Sequence, residues 1–102
     1  MRSKPVRQTN EDVLKKVRWM PCCICGRTPV DAAHIMSRGA GGPDADWNVI
    51  PLCREHHTEQ HKIGWFRIAN KYPPLRFKLS ALGWEWEGCR PRNSKYLDTM
   101  SN

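Results

Sequence analysis

All four histidines of this chain, His34, His56, His57 and His61, fall within residues 34–61. Four of its five cysteines, Cys22, Cys23, Cys25 and Cys53, lie in or beside the same stretch. Chance scatter rarely does this, so any fold must account for the crowding. Cys22-x2-Cys25 and Cys53-x2-His56 form two pairs separated by a loop. Zinc takes four nitrogen or sulfur ligands in a tetrahedron. A Cys-x2-Cys turn offers two thiolates from one knuckle, and a second pair closes the site. Pro21 and Gly26 bracket the first pair, as a tight turn needs. Cys23 fits such a site with poorer spacing, and Cys89 lies too far along the chain to assign. The bland alternative is reduced cysteine used as core filler. A thioredoxin-like use of Cys-x2-Cys needs a βαβ pattern that is absent here.

A chain of 102 residues makes one small domain, and small domains often recruit a metal to supplement a limited core. Lys and Arg number 17 against 10 Asp and Glu, for a formal charge of +7. That favours a polyanionic partner, most often nucleic acid, and a basic surface with no partner is the equally weighted alternative on charge alone. No apolar run approaches the ~18 residues of a membrane span, which excludes a membrane protein. The first twenty residues show no signal-peptide core. Without one, an odd set of cysteines reads as metal chemistry in the cytoplasm rather than as a disulfide framework.

Along the chain, residues 1–8 read as a flexible basic arm broken by Pro5. Thr9 is placed to cap a helix, with Asp12 at the capping-box position. Val13, Leu14 and Val17 recur at helical spacing, and Pro21 closes that helix. Residues 30–36 can form a short strand, 37–47 a glycine-rich loop, and 48–52 a second apolar stretch stopped by Pro51. A helix is expected from Cys53 to Lys62, with Gly64 where a C′ cap belongs and a further helical segment beyond it. Tyr72-Pro73-Pro74 breaks that segment. Leu75, Phe77, Leu79 and Leu82 suggest one more amphipathic helix ended by Gly83. Trp84 and Trp86 alternate with Glu85 and Glu87, and residues 88–102 read as a polar, mobile tail. The five tryptophans are expected to serve as core bulk rather than as base-stacking platforms. Lys62, Arg67, Lys71, Arg76 and Lys78, with Arg2, Lys4 and Arg7, could track a phosphate backbone without reading bases. His57 and His61 are four apart, so on a helix both rings share one face and can grip one divalent ion.

His34, Asn48 and His57 add a third element. In AHIMSRGAGG, WNVIPLC and REHHTEQH the sequence resembles the HNH endonuclease family, whose ββα-metal motif reads His…Asn…His. The likeness is most specific over residues 21–64 and is closest to small HNH proteins of phages and prophages. It implies an α+β fold: a two-stranded hairpin plus helix, with a structural zinc site and flanking helices, as one nuclease domain over 9–87. By spacing, Cys53 can pair with His56 or His57. The resemblance assigns His56 to the structural zinc, with Cys22, Cys25 and Cys53, and His57 with His61 to a catalytic ion.

The family usually carries an Asp or His just before the general-base His, where this chain has Ala33. Asp31 lies about 7 Å along the strand from that position, too far for direct ligation from the expected place. A bridging water, or Asp44 or Asp46 from the loop, could serve instead. A weakly held ion is therefore expected.

The activity implied is hydrolysis of DNA phosphodiester bonds. His34 acts as general base, Asn48 orients His34 or ties the loop, and Arg38 holds a phosphate. The ion would be Mg²⁺ or Mn²⁺, with Ni²⁺ or Zn²⁺ as further candidates. The substrate would be double-stranded DNA with low sequence specificity, in a bacterial or phage-infected cell. Two other classes compete. One is a catalytically inactive, zinc-stabilised nucleic-acid-binding module, for which Ala33 is the best argument. The other is an accessory of a phage machine, acting with phage partner proteins.

Overall fold

The computed structural model describes residues 9–95; the basic arm 1–8 and residues 96–102 lie outside them. Helix α1 (Glu11–Arg18) is capped by Asn10, whose side chain accepts from the amides of Asp12 and Val13 at 3.1 and 3.3 Å. The cap thus falls one residue later than the expected Thr9. The backbone explains it, because the amide of Asn10 donates to Asp44 Oδ2 at 3.0 Å and anchors the chain there. Acidic Glu11 and Asp12 begin the helix and basic Lys15, Lys16 and Arg18 end it, each complementing the helix dipole. Leu14 and Val17 are buried with Val49, which fastens α1 to the hairpin.

Strands β1 (Asp31–His34) and β2 (Val49–Leu52) pair antiparallel, with Ala33 opposite Ile50 and His34 opposite Val49. Pro51 does not stop the strand. The amide of Ile35 donates to Asn48 O at 2.9 Å, so hydrogen-bonded pairs alternate down the ladder and Ala32↔Pro51 is a non-bonded pair. There the missing N–H breaks no ladder bond. The outward carbonyl of Pro51 accepts instead from Cys23 N at 3.1 Å.

Helix α2 (Arg54–Lys71) starts directly after β2 and is broken at Gly64, whose φ of 86° and ψ of 163° are non-helical. Tyr72 ends α2 and opens α3 (Pro73–Ala81), with prolines in the first turn where no amide partner is needed. Leu75 and Leu79 are buried, but Phe77 is 77% exposed, correcting its place on the apolar face. Two residues past Leu75, it points to the other side of the helix.

The expected polar tail is structured at its start. Strands β3 (Trp84–Glu87) and β4 (Arg90–Asn93) form a second antiparallel hairpin, closed by Gly88 and Cys89 with Gly88 at φ 64°. The Nε1–H of Trp84 donates to Trp47 O at 2.7 Å, and Asn93 Nδ2 donates to Leu82 O at 3.0 Å. These bonds hold the second hairpin to the loop before β2 and to the end of α3.

The architecture is therefore mixed α and β, with three α-helices and two small antiparallel hairpins among the described residues. Ala33, Ile50, Leu52, Ile68 and Leu75 are fully buried at its centre. Trp65 and Trp84 join that core and Trp47 and Trp86 pack against it. Trp19 does not; it caps the end of α1 and is 87% exposed. Leu14 and Val17 already fill the buried stripe of so short a helix. Among the described residues no helix is long and apolar enough to cross a membrane.

Candidate metal centre and histidine cleft

The turn after α1 delivers the first two cysteines. Gly26 N donates to Cys22 O at 2.8 Å, and Gly26 takes the positive φ of 77° that closes the knuckle. Ile24 N points at Cys22 Sγ at 3.4 Å. Cys53 closes β2 and stands at the start of α2, and His56 follows in the first turn. The ligand atoms of Cys22, Cys25, Cys53 and His56 all lie within 4.8 Å of one another. Individual separations are 3.7 Å for Cys22 Sγ to His56 Nδ1, 3.7 Å for Cys25 Sγ to Cys53 Sγ, and 3.3 Å for Cys53 Sγ to His56 Nδ1. A tetrahedral zinc, with bonds of about 2.3 Å to sulfur and about 2.0 Å to nitrogen, sets its ligands roughly 3.5–3.8 Å apart. The four residues therefore fit a structural metal such as zinc.

The two buried thiols of the cluster are shifted in opposite directions. Burial pushes the Cys22 thiol up, but backbone groups of Cys53, Cys25 and Ile24, together with His56, outweigh it and bring it down to about 6. Burial pushes Cys53 up. Cys23 is pushed up to about 12 by burial and by its neighbour Cys22, and it packs against the core as an apolar filler. Tyr72 sets its ring edge-on against His56 at 5.0 Å, and its hydroxyl donates to Glu59 at 2.8 Å. Cys89 is exposed in the β3–β4 turn.

On the other side of α2 the remaining histidines open onto a cleft of about 430 Å³, lined by Arg18, Asp31, His34, Arg38, His57 and His61 among others. The His57 and His61 rings lie 4.8 Å apart, as expected of residues one turn apart. His57 Nδ1 is 2.9 Å from Asp31 Oδ2. A carboxylate can only accept, so Nδ1 carries the proton and Nε2 is left as the ligating nitrogen. Asp31 thus reaches the cleft as the partner of His57, not through the Ala33 position, whose residue is fully buried.

Neither loop aspartate lines the cleft. Asp46 pairs with Lys16 at 2.7 Å on the surface. Asp44 is buried, with Oδ1 2.8 Å from His34 Nε2. Asn48 makes no side-chain hydrogen bond to His34. Fully buried, it accepts from Met36 N at 2.8 Å and donates to Met36 O and Pro43 O, each at 3.0 Å. Of its two expected roles, it performs the loop tie. Gly42 completes that tie: a Cβ there would sit 1.9 Å from Met36 O and 2.9 Å from Asn48 Nδ2. The parts missed in the sequence are Gly42, the pairing of Asp44 with His34 and the pairing of Asp31 with His57. A buried carboxylate beside a histidine leaves no spacing signature when ten positions of loop sequence lie from one to the other.

A family model described as a protein of unknown function (DUF968) matches residues 1–65, and the chain belongs to that family. The matched stretch contains every residue of the cysteine cluster and of the cleft just described; α3 and the second hairpin lie beyond it. Among curated proteins, the chain is similar to the uncharacterized protein YdfU of Escherichia coli (strain K12). Identity is 38% over 58 residues, covering 54% of this chain and 17% of that protein. The chain thus spans less than a fifth of that relative's length. No solved structure matches.

Proposed function

We propose that this chain is a metal-dependent DNA endonuclease of the HNH type, with β1, β2 and the first half of α2 as its ββα-metal core. The observation that carries the reading is that His34 of β1 and His57 and His61 of α2 open onto one cleft, beside Arg18 and Arg38. A purely structural zinc module has no use for a second set of imidazoles. His34 takes a proton from water, and the hydroxide attacks phosphorus in line. The bond from phosphorus to the 3′ oxygen breaks, leaving a 5′ phosphate and a 3′ hydroxyl that collects a solvent proton. General-base help of this kind is worth about 10²–10⁴ in rate. His57 and His61 would hold a divalent cation, which supplies positive charge for the phosphoryl group and the departing oxygen. Arg38 and Arg18 hold the phosphate, Arg38 with a fork suited to two oxygens.

A supercoiled plasmid tests this. Zinc-loaded wild type should nick or cut it only with Mg²⁺ or Mn²⁺ added. His34→Ala should lose about 10²-fold or more of the rate while still binding the plasmid. The buried Ala33, standing where the family carries a ligand, favours the second reading of a zinc-stabilised nucleic-acid-binding module. Binding without cleavage under every ion would decide for that module.

A further inference from the structure

We infer that Asp44 is a positioning residue that fixes the tautomer of His34, and so selects Nδ1 as the nitrogen able to accept a proton. The catalytic half of this inference rests on the nuclease reading; the tautomer half rests on geometry alone. The two side chains are 8% and 2% exposed, so water does not compete for the 2.8 Å contact between His34 Nε2 and Asp44 Oδ1. A carboxylate offers no hydrogen, so the neutral ring must give it the Nε2 proton, and its lone pair falls on Nδ1.

The second oxygen of Asp44 determines what a conservative change would do. Oδ2 accepts from the backbone amide of Asn10, which can only donate. In Asp44→Asn, the side-chain oxygen is drawn to that amide, and the NH₂ group is turned toward His34 Nε2. Nε2 must then accept, the ring proton moves to Nδ1, and the lone pair sits on the wrong nitrogen. The same two bonds make the orientation of His34 depend on where α1 begins, because Asn10 is the cap of that helix.

The test is two-bond proton–nitrogen correlation NMR on the zinc-loaded full chain, run at a pH well above the ordinary histidine value of about 6.5. Plasmid cleavage is measured on the same samples. The expected result is an Nε2–H tautomer for His34 in wild type and an Nδ1–H tautomer in Asp44→Asn. Cleavage should fall by about 10²-fold or more with zinc content unchanged. An Nδ1–H tautomer in wild type overturns the proposal without any variant, so a poorly folding Asp44→Asn does not shield it. An Asp44→Asn protein that cuts at the wild-type rate also overturns it, while leaving the nuclease reading standing. If the tautomer switches but wild type never cuts DNA, the nuclease reading fails, together with the catalytic role of Asp44. The tautomer control itself is then upheld.

Discussion

His56 and His57 are neighbours on α2, and consecutive side chains leave a helix about 100° apart. His56 meets Cys22 and Cys53 on one side; His57 meets Asp31 on the other. The first centre gathers three thiols and an imidazole, whose ligand atoms all lie within 4.8 Å of one another. The second has two imidazoles in an open cleft, each free to offer one nitrogen. A closed set of four is the pattern of a structural metal, and an incomplete set with solvent access is the pattern of a reactive one. One helix turn therefore separates a cluster suited to a structural metal from the cleft on which the proposed chemistry rests.

That contrast breaks most decisively on the cysteine side. Cys25→Ser, or removal of the metal by a strong chelator, should unfold the domain. Metal binding at such sites carries folding free energy on the order of 10 kcal/mol, more than a small domain's typical ~5 kcal/mol of net stability. Circular dichroism and a thermal scan would show it. A chelated protein with an unchanged melting temperature would overturn the structural role.

Asn48→Ala should come next, at about 3 kcal/mol of destabilisation in urea. It strands the backbone N–H and C=O of Met36 and the carbonyl of Pro43 inside the protein. Its zinc content should not change, because the loop it ties belongs to the cleft side.

Asp31→Ala acts mainly on the cleft, since the other partner of Asp31 is the exposed Arg54 at 3.4 Å. Loss of a carboxylate behind a ligating histidine should raise the ion concentration needed for half-maximal cleavage by about 10- to 100-fold, with little change in stability. An unchanged ion requirement would remove Asp31 from the site.

The smallest effect lies at the outer rim of the cysteine centre. Hydrogen bonds from Lys71 and then Tyr72 hold the Glu59 carboxyl below its ordinary value of 4.5. A lowered carboxylate stabilises the fold above that ordinary value, and the contribution is lost as pH falls through the lowered one. Glu59→Gln should therefore melt slightly below wild type at neutral pH. The two should converge in acid as Glu59 itself protonates.

Much of this was legible in the residues. Cys-x2-Cys and Cys-x2-His announce two knuckles because chelation tolerates few spacings. The break at Tyr72-Pro73-Pro74 follows from proline chemistry, and Gly64 stands where a C′ cap is expected, the position at which the structure shows a positive φ. Other features carried no local signal. Arg90-Pro91-Arg92 looks like tail, yet it pairs with β3, where Trp84 stands opposite Asn93 and Trp86 opposite Pro91. Trp19 has the composition of core and the position of surface.

Ligand types, their spacing and the order of strand, loop and helix are local properties, and the chain carries them without help from its fold. Which imidazole nitrogen is free, and which of Asp31, Asp44 and Asp46 serves a histidine, depend on distances across 10 to 26 positions of sequence. Composition does not distinguish those three aspartates. Packing does, by burying Asp44 against His34, setting Asp31 against His57 and leaving Asp46 to a surface lysine. A buried carboxylate must find a hydrogen-bond donor, and only the folded chain determines which donor stands within reach.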